Sequence, residues 1–481
     1  MHISLLHPGG KPAHATPTRD DLLYHLSLDR SFARLCPDSR SRGVLLSVIT
    51  RITAAPAEIT YRQQIMVDLL CIPPLAEDLA DSFSRFPALQ TAQKDAEREA
   101  RSTGASRTTT VTSAKNLLQT QAMCCQRTLL AVKDLADRLD RHPLTAEGLI
   151  ALRDTCRAMA ENPANARLLN LCRRYSEFSE RELLAYRFAL TPDGRMAGYA
   201  LTDRRHLPVE TQKKKGFALR AKPQSAPGVP VMPQDREGYD TFTAAAFTSL
   251  TAQFSSVTRE LLHDLAPLAR ELDFYTAALT YAASIREKGA PLCFPAITPG
   301  ILTSAEGLYD LLLLANAPNC GKVVPHTFTL PAQGGLLILG ENGSGKTVFL
   351  RGAATLQILA QAGLPVPCTS ANLNPCTAMA LQFSHSEERE DNTAGRFEQE
   401  VRELADMVDG LQAGAMVFLN ETFQSTAYAE GAEGLCPILR HFGACGIRWV
   451  LVSHLKDLPN LLSPEEAEIR RTGKDYRILP Q

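Results

Sequence analysis

A chain of 481 residues, 44% hydrophobic and 21% charged, is long enough for two or three cores. No apolar run reaches the roughly 18–20 residues that span a bilayer, and Met1–Gly10 lacks the charged-then-apolar pattern of a secretory leader, so a cytoplasmic protein with no membrane partner is expected. The net charge of −1 neither selects nor excludes nucleic acid, because a local basic surface can sit inside a neutral total. Twelve cysteines are present. None forms a Cys-x-x-Cys pair and no Cys/His group stands at zinc spacing, so buried reduced thiols are expected rather than a structural metal.

Taken in chain order, Ile3–Leu6 is a short apolar run closed by Pro8-Gly9-Gly10 and reads as an edge strand. From Asp20 to about Glu287 the pattern is mainly helical. Arg62–Leu79 carries Ile65, Val67, Leu69, Leu70, Ile72 and Leu75, interrupted by Pro73-Pro74. Leu129–Leu139 repeats apolar residues at three- and four-residue spacing, and Leu149–Leu169 and Phe247–Ile285 read the same way. Long helices with few aromatic anchors point to levers or bundles. Arg101–Lys115, rich in Ser and Thr, reads as a loop, and Pro223–Pro233 as an irregular connection. Between these, Arg204–Lys222 carries Arg204, Arg205, Lys213, Lys214, Lys215, Arg220 and Lys222, a solvated loop or a contact to a phosphate backbone.

The character changes near Pro295. Short apolar runs at Gly335–Leu339, Met416–Leu419 and Trp449–Val452 alternate with helical stretches, which predicts an α/β domain with a largely parallel sheet. Between a predicted strand, Gly335–Leu339, and a predicted helix, Val348–Ala362, stands Gly340-Glu341-Asn342-Gly343-Ser344-Gly345-Lys346-Thr347, a full match to G-x-x-x-x-G-K-[ST]. Glycines there let backbone N–H groups close around phosphates, and the helix N-terminus adds its dipole. Lys346 is expected to reach the β- and γ-phosphates of ATP and the Thr347 hydroxyl to bind Mg²⁺. Met416–Leu419 runs into Asn420-Glu421, where a Walker B strand normally ends in Asp-Glu. Asn420 therefore stands at the metal position without a charge, and Glu421 is the candidate base that orients water. Val450–Val452 runs into Ser453-His454, and His454 is the candidate reader of the γ-phosphate.

No Leu-Ser-Gly-Gly-Gln follows the P-loop, which argues against a transporter or chromosome-condensing ATPase. Asp391–Val401 stands there instead, with Phe397, Val401, Leu404 and Met407 near one helical face. Phe397 and Glu400, Gly363–Cys368 (GLPVPC), Asn420–Gly431 with Thr426 and Gly431 in register, and Ser453-His454 together resemble the MutS mismatch-repair ATPase family. Tyr61-Arg62-Gln63 and Leu272-Asp273-Phe274 extend the resemblance into the helical region. The expected architecture is thus α plus α/β. A mainly helical core and lever region spans 1–290, and a P-loop NTPase domain of the ABC/MutS type spans 296–481.

The resemblance implies paired ATPase domains, each site completed by the partner's signature loop through Asn392, Thr393, Gly395 and Phe397. It implies a homodimer whose helical arms close on duplex or branched DNA. Gly395-Arg396-Phe397 replaces the family's Ser-Thr-Phe, removing the serine that contacts nucleotide across the dimer. Core-like sequence begins too early for the family's mismatch reader, and neither a nuclease tail nor the helix-turn-helix dimerisation tail is expected after Gln481. A DNA clamp in repair or recombination, an ATP-gated binding module with negligible hydrolysis, and an RNA- or ribosome-acting relative all remain open.

Overall fold

The computed structural model describes residues 3–11, 15–17, 22–104, 110–177, 182–190, 192, 196–206, 233–383, 393–423 and 428–480. Two compact units emerge. One gathers Met1–Ala80, Arg141–Leu152 and Pro267–Gln481; the other holds Asp81–Asp140 and Arg153–Ala266. The packing units are therefore interleaved along the chain. The cause is helix length: Pro73–Gly104 runs from one unit into the other, and the 55-residue helix Pro233–Glu287 runs back. The second helix contains Pro267, which removes an internal hydrogen bond where one unit gives way to the other. Among the described residues no helix is long and apolar enough to cross a membrane.

In the helical unit, Val111–Leu139, Pro163–Ser176 and part of Pro233–Glu287 bury Leu118, Cys125, Leu129, Cys172, Phe247 and Phe254 against one another. The expected helix Leu149–Leu169 is two helices, Glu147–Glu161 and Pro163–Ser176. Asn162 caps the second by accepting from Ala164 N (2.8 Å), and Pro163 cannot continue the first. Much of the loop expected over Arg101–Lys115 is helical, and residues 105–109 lie outside the described residues. Helix extends to Gly104 and resumes at Val111, where Thr110 accepts from Ser113 N (3.2 Å). Arg204 and Arg205 belong to a strand, Met196–His206, paired antiparallel with Glu182–Leu190, and not to a loop. Lys213, Lys214, Lys215, Arg220, Lys222 and the proline-rich connection up to Met232 lie outside the described residues.

The other unit carries the sheet expected from the alternating pattern. Met379–Phe383, Met416–Asn420, Arg448–Ser453, Gly335–Leu339 and Ala467–Thr472 pair in that order, all parallel, and Ile478–Pro480 adds an antiparallel edge. Asp475–Arg477 form the turn before that edge strand. The central strands are buried along their whole length because helices cover both faces, which is why they read as continuous apolar runs. Gly335 is required by packing: a Cβ there would run into the indole of Trp449 on the neighbouring strand. Gly335→Ala is expected to destabilise the domain by about 1–3 kcal/mol. Urea unfolding followed by the fluorescence of Trp449, the sole tryptophan, measures it directly.

A second, four-stranded sheet (Ala296–Ile297, Ser370–Leu373, Thr303–Leu308, His326–Leu330) leans on the helix Lys346–Gln361, with His326 and Phe328 edge-on to Phe349. That helix also bonds the chain's early residues, since Gln361 Nε2 donates to Thr53 O (2.7 Å). Gly363 ends it at φ +82°, and a Cβ at that position would strike Arg62. Ile3–Leu6 is not an edge strand. Side chains take the place of a ladder partner: the carbonyls of Ser4, Leu5 and Leu6 accept from Tyr61 Oη (2.7 Å), Tyr275 Oη (2.6 Å) and Arg62 Nε (2.9 Å), while Glu271 accepts from Leu5 N and Ser4 Oγ.

Candidate nucleotide site

Parallel pairing decides where the motif residues meet. Leu339 lies opposite Ser453, and Asn420 opposite Val452, so the P-loop, Asn420-Glu421 and His454 all leave the sheet at its carboxyl edge. That edge is where open α/β sheets place ligands. The strand ending in Ser453 lies between the P-loop strand and the strand ending in Asn420.

Gly340–Gly345 form the loop, with Gly343 at φ +77° and Gly345 at φ +90°, conformations that side-chain-bearing residues rarely adopt. Gly340 is needed for space as well. A Cβ there would collide with Thr472 Oγ1, and Thr472 and Ser344 share a 2.7 Å hydroxyl hydrogen bond beside it. Lys346 is buried at the start of the helix. Its Nζ donates to Gly340 O (2.9 Å) and Glu341 O (2.8 Å) and pairs with Glu421 Oε1 at 3.3 Å. Thr347 Oγ1 donates to Asn420 Oδ1 at 3.0 Å. The two side-chain oxygens named for Mg²⁺ are thus adjacent, and they fit an ion that takes one or two protein oxygens and completes its shell with phosphate and water. Among the described residues no group of three or more His, Cys, Asp or Glu gathers at metal spacing.

The turn after Asn420 is strained. Glu421 and Phe423 hold φ of +55° and +63°, in the left-handed region that costs a non-glycine residue about 1–2 kcal/mol. Its hydrogen bonds show what sustains it. Glu421 N donates to Val452 O (2.9 Å), Thr422 Oγ1 to Gln382 Oε1 (3.0 Å), and Phe423 N to Glu400 Oε2 (2.9 Å). Glu400, noticed in the sequence only for its spacing from Phe397, therefore positions the loop that carries Glu421. Gln382, Thr422 and Thr472 escaped the sequence reading because no short motif marks them; they become visible only through their partners. Glu400→Ala is expected to remove the carboxylate that accepts from the Phe423 amide, at a cost of about 1–3 kcal/mol. Loop disorder should slow single-turnover hydrolysis at least ~10-fold, one factor per 1.4 kcal/mol, while ATP binding measured by titration is retained.

His454 is half-buried. Burial lowers its pKa, the Glu421 carboxylate opposes that shift and Lys346 reinforces it, so the imidazole is neutral at pH 7. Because the folded-state pKa is depressed, the unfolded chain takes the proton first as pH falls. Stability from this group is lost below about pH 6.5.

The helix Thr393–Asp409 replaces the loop expected over its opening residues: Thr393, Gly395 and Phe397 lie in its first turns, and Asn392 and Thr426 fall outside the described residues. Of the apolar stripe expected along it, Leu404 and Met407 are buried in the sheet's core, whereas Val401 is exposed.

Residues 336–471 match the family model for MutS domain V. The chain is 27% identical over 228 residues to the DNA mismatch repair protein MutS of Microcystis aeruginosa, covering 44% of this chain and 24% of that protein. It is 28% identical over 247 residues to the DNA mismatch repair protein MSH3 of Chaetomium globosum, covering 50% and 21%. With the endonuclease MutS2 of Pelotomaculum thermopropionicum the figures are 25% over 197 residues, covering 41% and 24%. The match thus spans a quarter or less of each of these relatives.

Proposed function

We propose that this chain, which belongs to the MutS family through the domain V it carries, is an ATP-driven DNA-binding clamp that works in repair or recombination without a mismatch reader of its own. The observation that carries the reading is the convergence of P-loop, Asn420-Glu421 and His454 at one sheet edge, with Lys346, Glu421, Thr347 and Asn420 already in contact.

In this reading the P-loop amides and Lys346 hold the phosphates of ATP, and Lys346 leaves Glu421 to do so. Glu421, once released, orients water for in-line attack on the γ-phosphorus. Neutral His454 donates a hydrogen bond as the γ-phosphate charge develops. Mg²⁺, when bound, neutralises charge shared between the β- and γ-phosphates, and Thr347 and Asn420 would hold it. Two ATPase domains pair as a homodimer, each bringing the opening turns of Thr393–Asp409, with Phe397, to the other's nucleotide. The helical region 1–290 supplies the core and lever arms that close on duplex or branched DNA.

Two observations favour a second reading, an ATP-gated switch with negligible hydrolysis. Asn420 brings no charge to the metal, and Glu421 is engaged by Lys346. Single-turnover hydrolysis separates an enzyme from a switch. Sedimentation of the full chain with duplex DNA, branched DNA or ribosomes, with and without ATP, tests the clamp. ATP-dependent retention on either DNA is expected. Retention on ribosomes alone would replace the DNA reading by an RNA-directed one.

A further inference from the structure

Cys293 and Cys368 are separated by 75 residues in sequence, yet their sulfurs lie 3.1 Å apart. Backbone pairing brings them there. Cys293 N donates to Val366 O (3.0 Å) and Val366 N to Cys293 O (2.9 Å), an isolated antiparallel bridge two residues before Cys368. The loop that holds Cys368 is anchored on both sides. Tyr281 Oη donates to Pro365 O (3.1 Å), Tyr309 N to Pro367 O (2.9 Å) and Thr369 N to Glu306 O (2.9 Å).

The two thiols are not equivalent. Cys368 is buried and Cys293 is half-exposed. The Ala371 backbone N–H donates to the Cys293 sulfur, and across the 3.1 Å contact either thiol can donate to the other. A thiolate at Cys293 would be held by the Cys368 thiol and the Ala371 N–H, which lowers its pKa, while the contact with Cys293 and burial push Cys368 up. The pair thus divides into an accessible nucleophile and a resolving thiol already in contact. A second thiol contact, Cys125 with Cys172, has both members buried and no such access.

We propose that Cys293 is an oxidation site whose partner is Cys368, a hydroperoxide converting the pair to a disulfide that ties the connector after the helix Pro233–Glu287 to the loop that follows the P-loop helix. The Cys293 thiolate attacks one peroxide oxygen and the O–O bond breaks. This leaves Cys293 as a sulfenic acid and releases the other oxygen as hydroxide, or as an alcohol from an organic hydroperoxide. The Cys368 sulfur then attacks the Cys293 sulfur, the S–O bond breaks, and the hydroxyl departs with the Cys368 proton as water. Two electrons pass from the two sulfurs to the peroxide. The sulfurs need only close from 3.1 Å to about 2.05 Å. A thiol reductant reverses the change by exchange.

The experiment exposes the full chain to hydrogen peroxide, quenches it with iodoacetamide and digests it without reductant. Trypsin and chymotrypsin are combined so that Cys293 and Cys320 fall in separate peptides. The expected product is a Cys293–Cys368 cross-link lighter by two hydrogens than the reduced pair, lost on adding dithiothreitol. Cys368→Ala should leave Cys293 as a sulfenic acid captured by dimedone, and Cys293→Ser should leave Cys368 reduced. Three results in the unmutated protein would overturn the proposal: Cys293 recovered alkylated under peroxide that oxidises the exposed Cys71 or Cys445; Cys293 carried to sulfinic acid without a cross-link; or Cys293 joined to Cys320, whose sulfur lies on the nearby Gly289 carbonyl at 3.1 Å. That measurement does not depend on either variant folding.

Discussion

Lys346→Ala is expected to lower ATP turnover by at least ~100-fold, the scale of losing one preorganised charge donor at a developing anion. The ammonium is buried and aimed at the loop by the carbonyls of Gly340 and Glu341, so no surface lysine can replace it. The same ammonium faces Glu421 at 3.3 Å, with the lysine side chain only 2% and the glutamate 16% exposed. Truncation therefore also strands a largely buried carboxylate and should lower thermal stability. The two effects separate in a double-mutant cycle. Adding Glu421→Gln to Lys346→Ala removes the stranded charge, so stability should recover while ATP binding by titration does not. Turnover that survives Lys346→Ala would reject the site.

Asn420→Asp carries the other large expectation. Asn420 is buried and its Oδ1 already accepts from Thr347, so an aspartate fits the same space and adds one negative charge to the candidate Mg²⁺ position. In chelator the new carboxylate has no cation of its own and should destabilise the domain. With Mg²⁺ that penalty is removed and the metal shell strengthened. The Mg²⁺ concentration for half-maximal hydrolysis should fall about 10–100-fold, and kcat should rise. If Mg²⁺ dependence and kcat both stay as they were, the neutral side chain is not what limits turnover, and the switch reading loses its main support.

What could be read from sequence follows from how local each feature is. The P-loop is contiguous, and its glycines, lysine and threonine each answer to backbone geometry or phosphate chemistry within eight residues. The runs ending in Asn420 and Ser453 are fully buried strands, whose continuous apolar character survives without knowledge of their neighbours. Where the reading failed, distant partners or local caps had intervened. Ile3–Leu6 looked like a strand because it is apolar, but Tyr61, Arg62, Tyr275 and Glu271 satisfy its backbone in place of a ladder. Arg101–Lys115 looked like a loop by composition, yet Thr110 caps a helix that absorbs its last five residues. Val401 followed the apolar stripe and remains exposed, while Leu404 and Met407 on the same helix are buried in the sheet's core.

By itself, then, the sequence determined the parallel α/β domain, its glycine-rich loop and the identity of the strand-end residues, all encoded over spans of a few residues by periodicity and glycine placement. Only the tertiary structure decided that Lys346 neutralises Glu421, that Glu400 holds the strained turn behind it, and that Cys293 meets Cys368. Each of those pairings depends on chain crossovers of tens of residues, and no local propensity records which distant backbone will come to lie alongside.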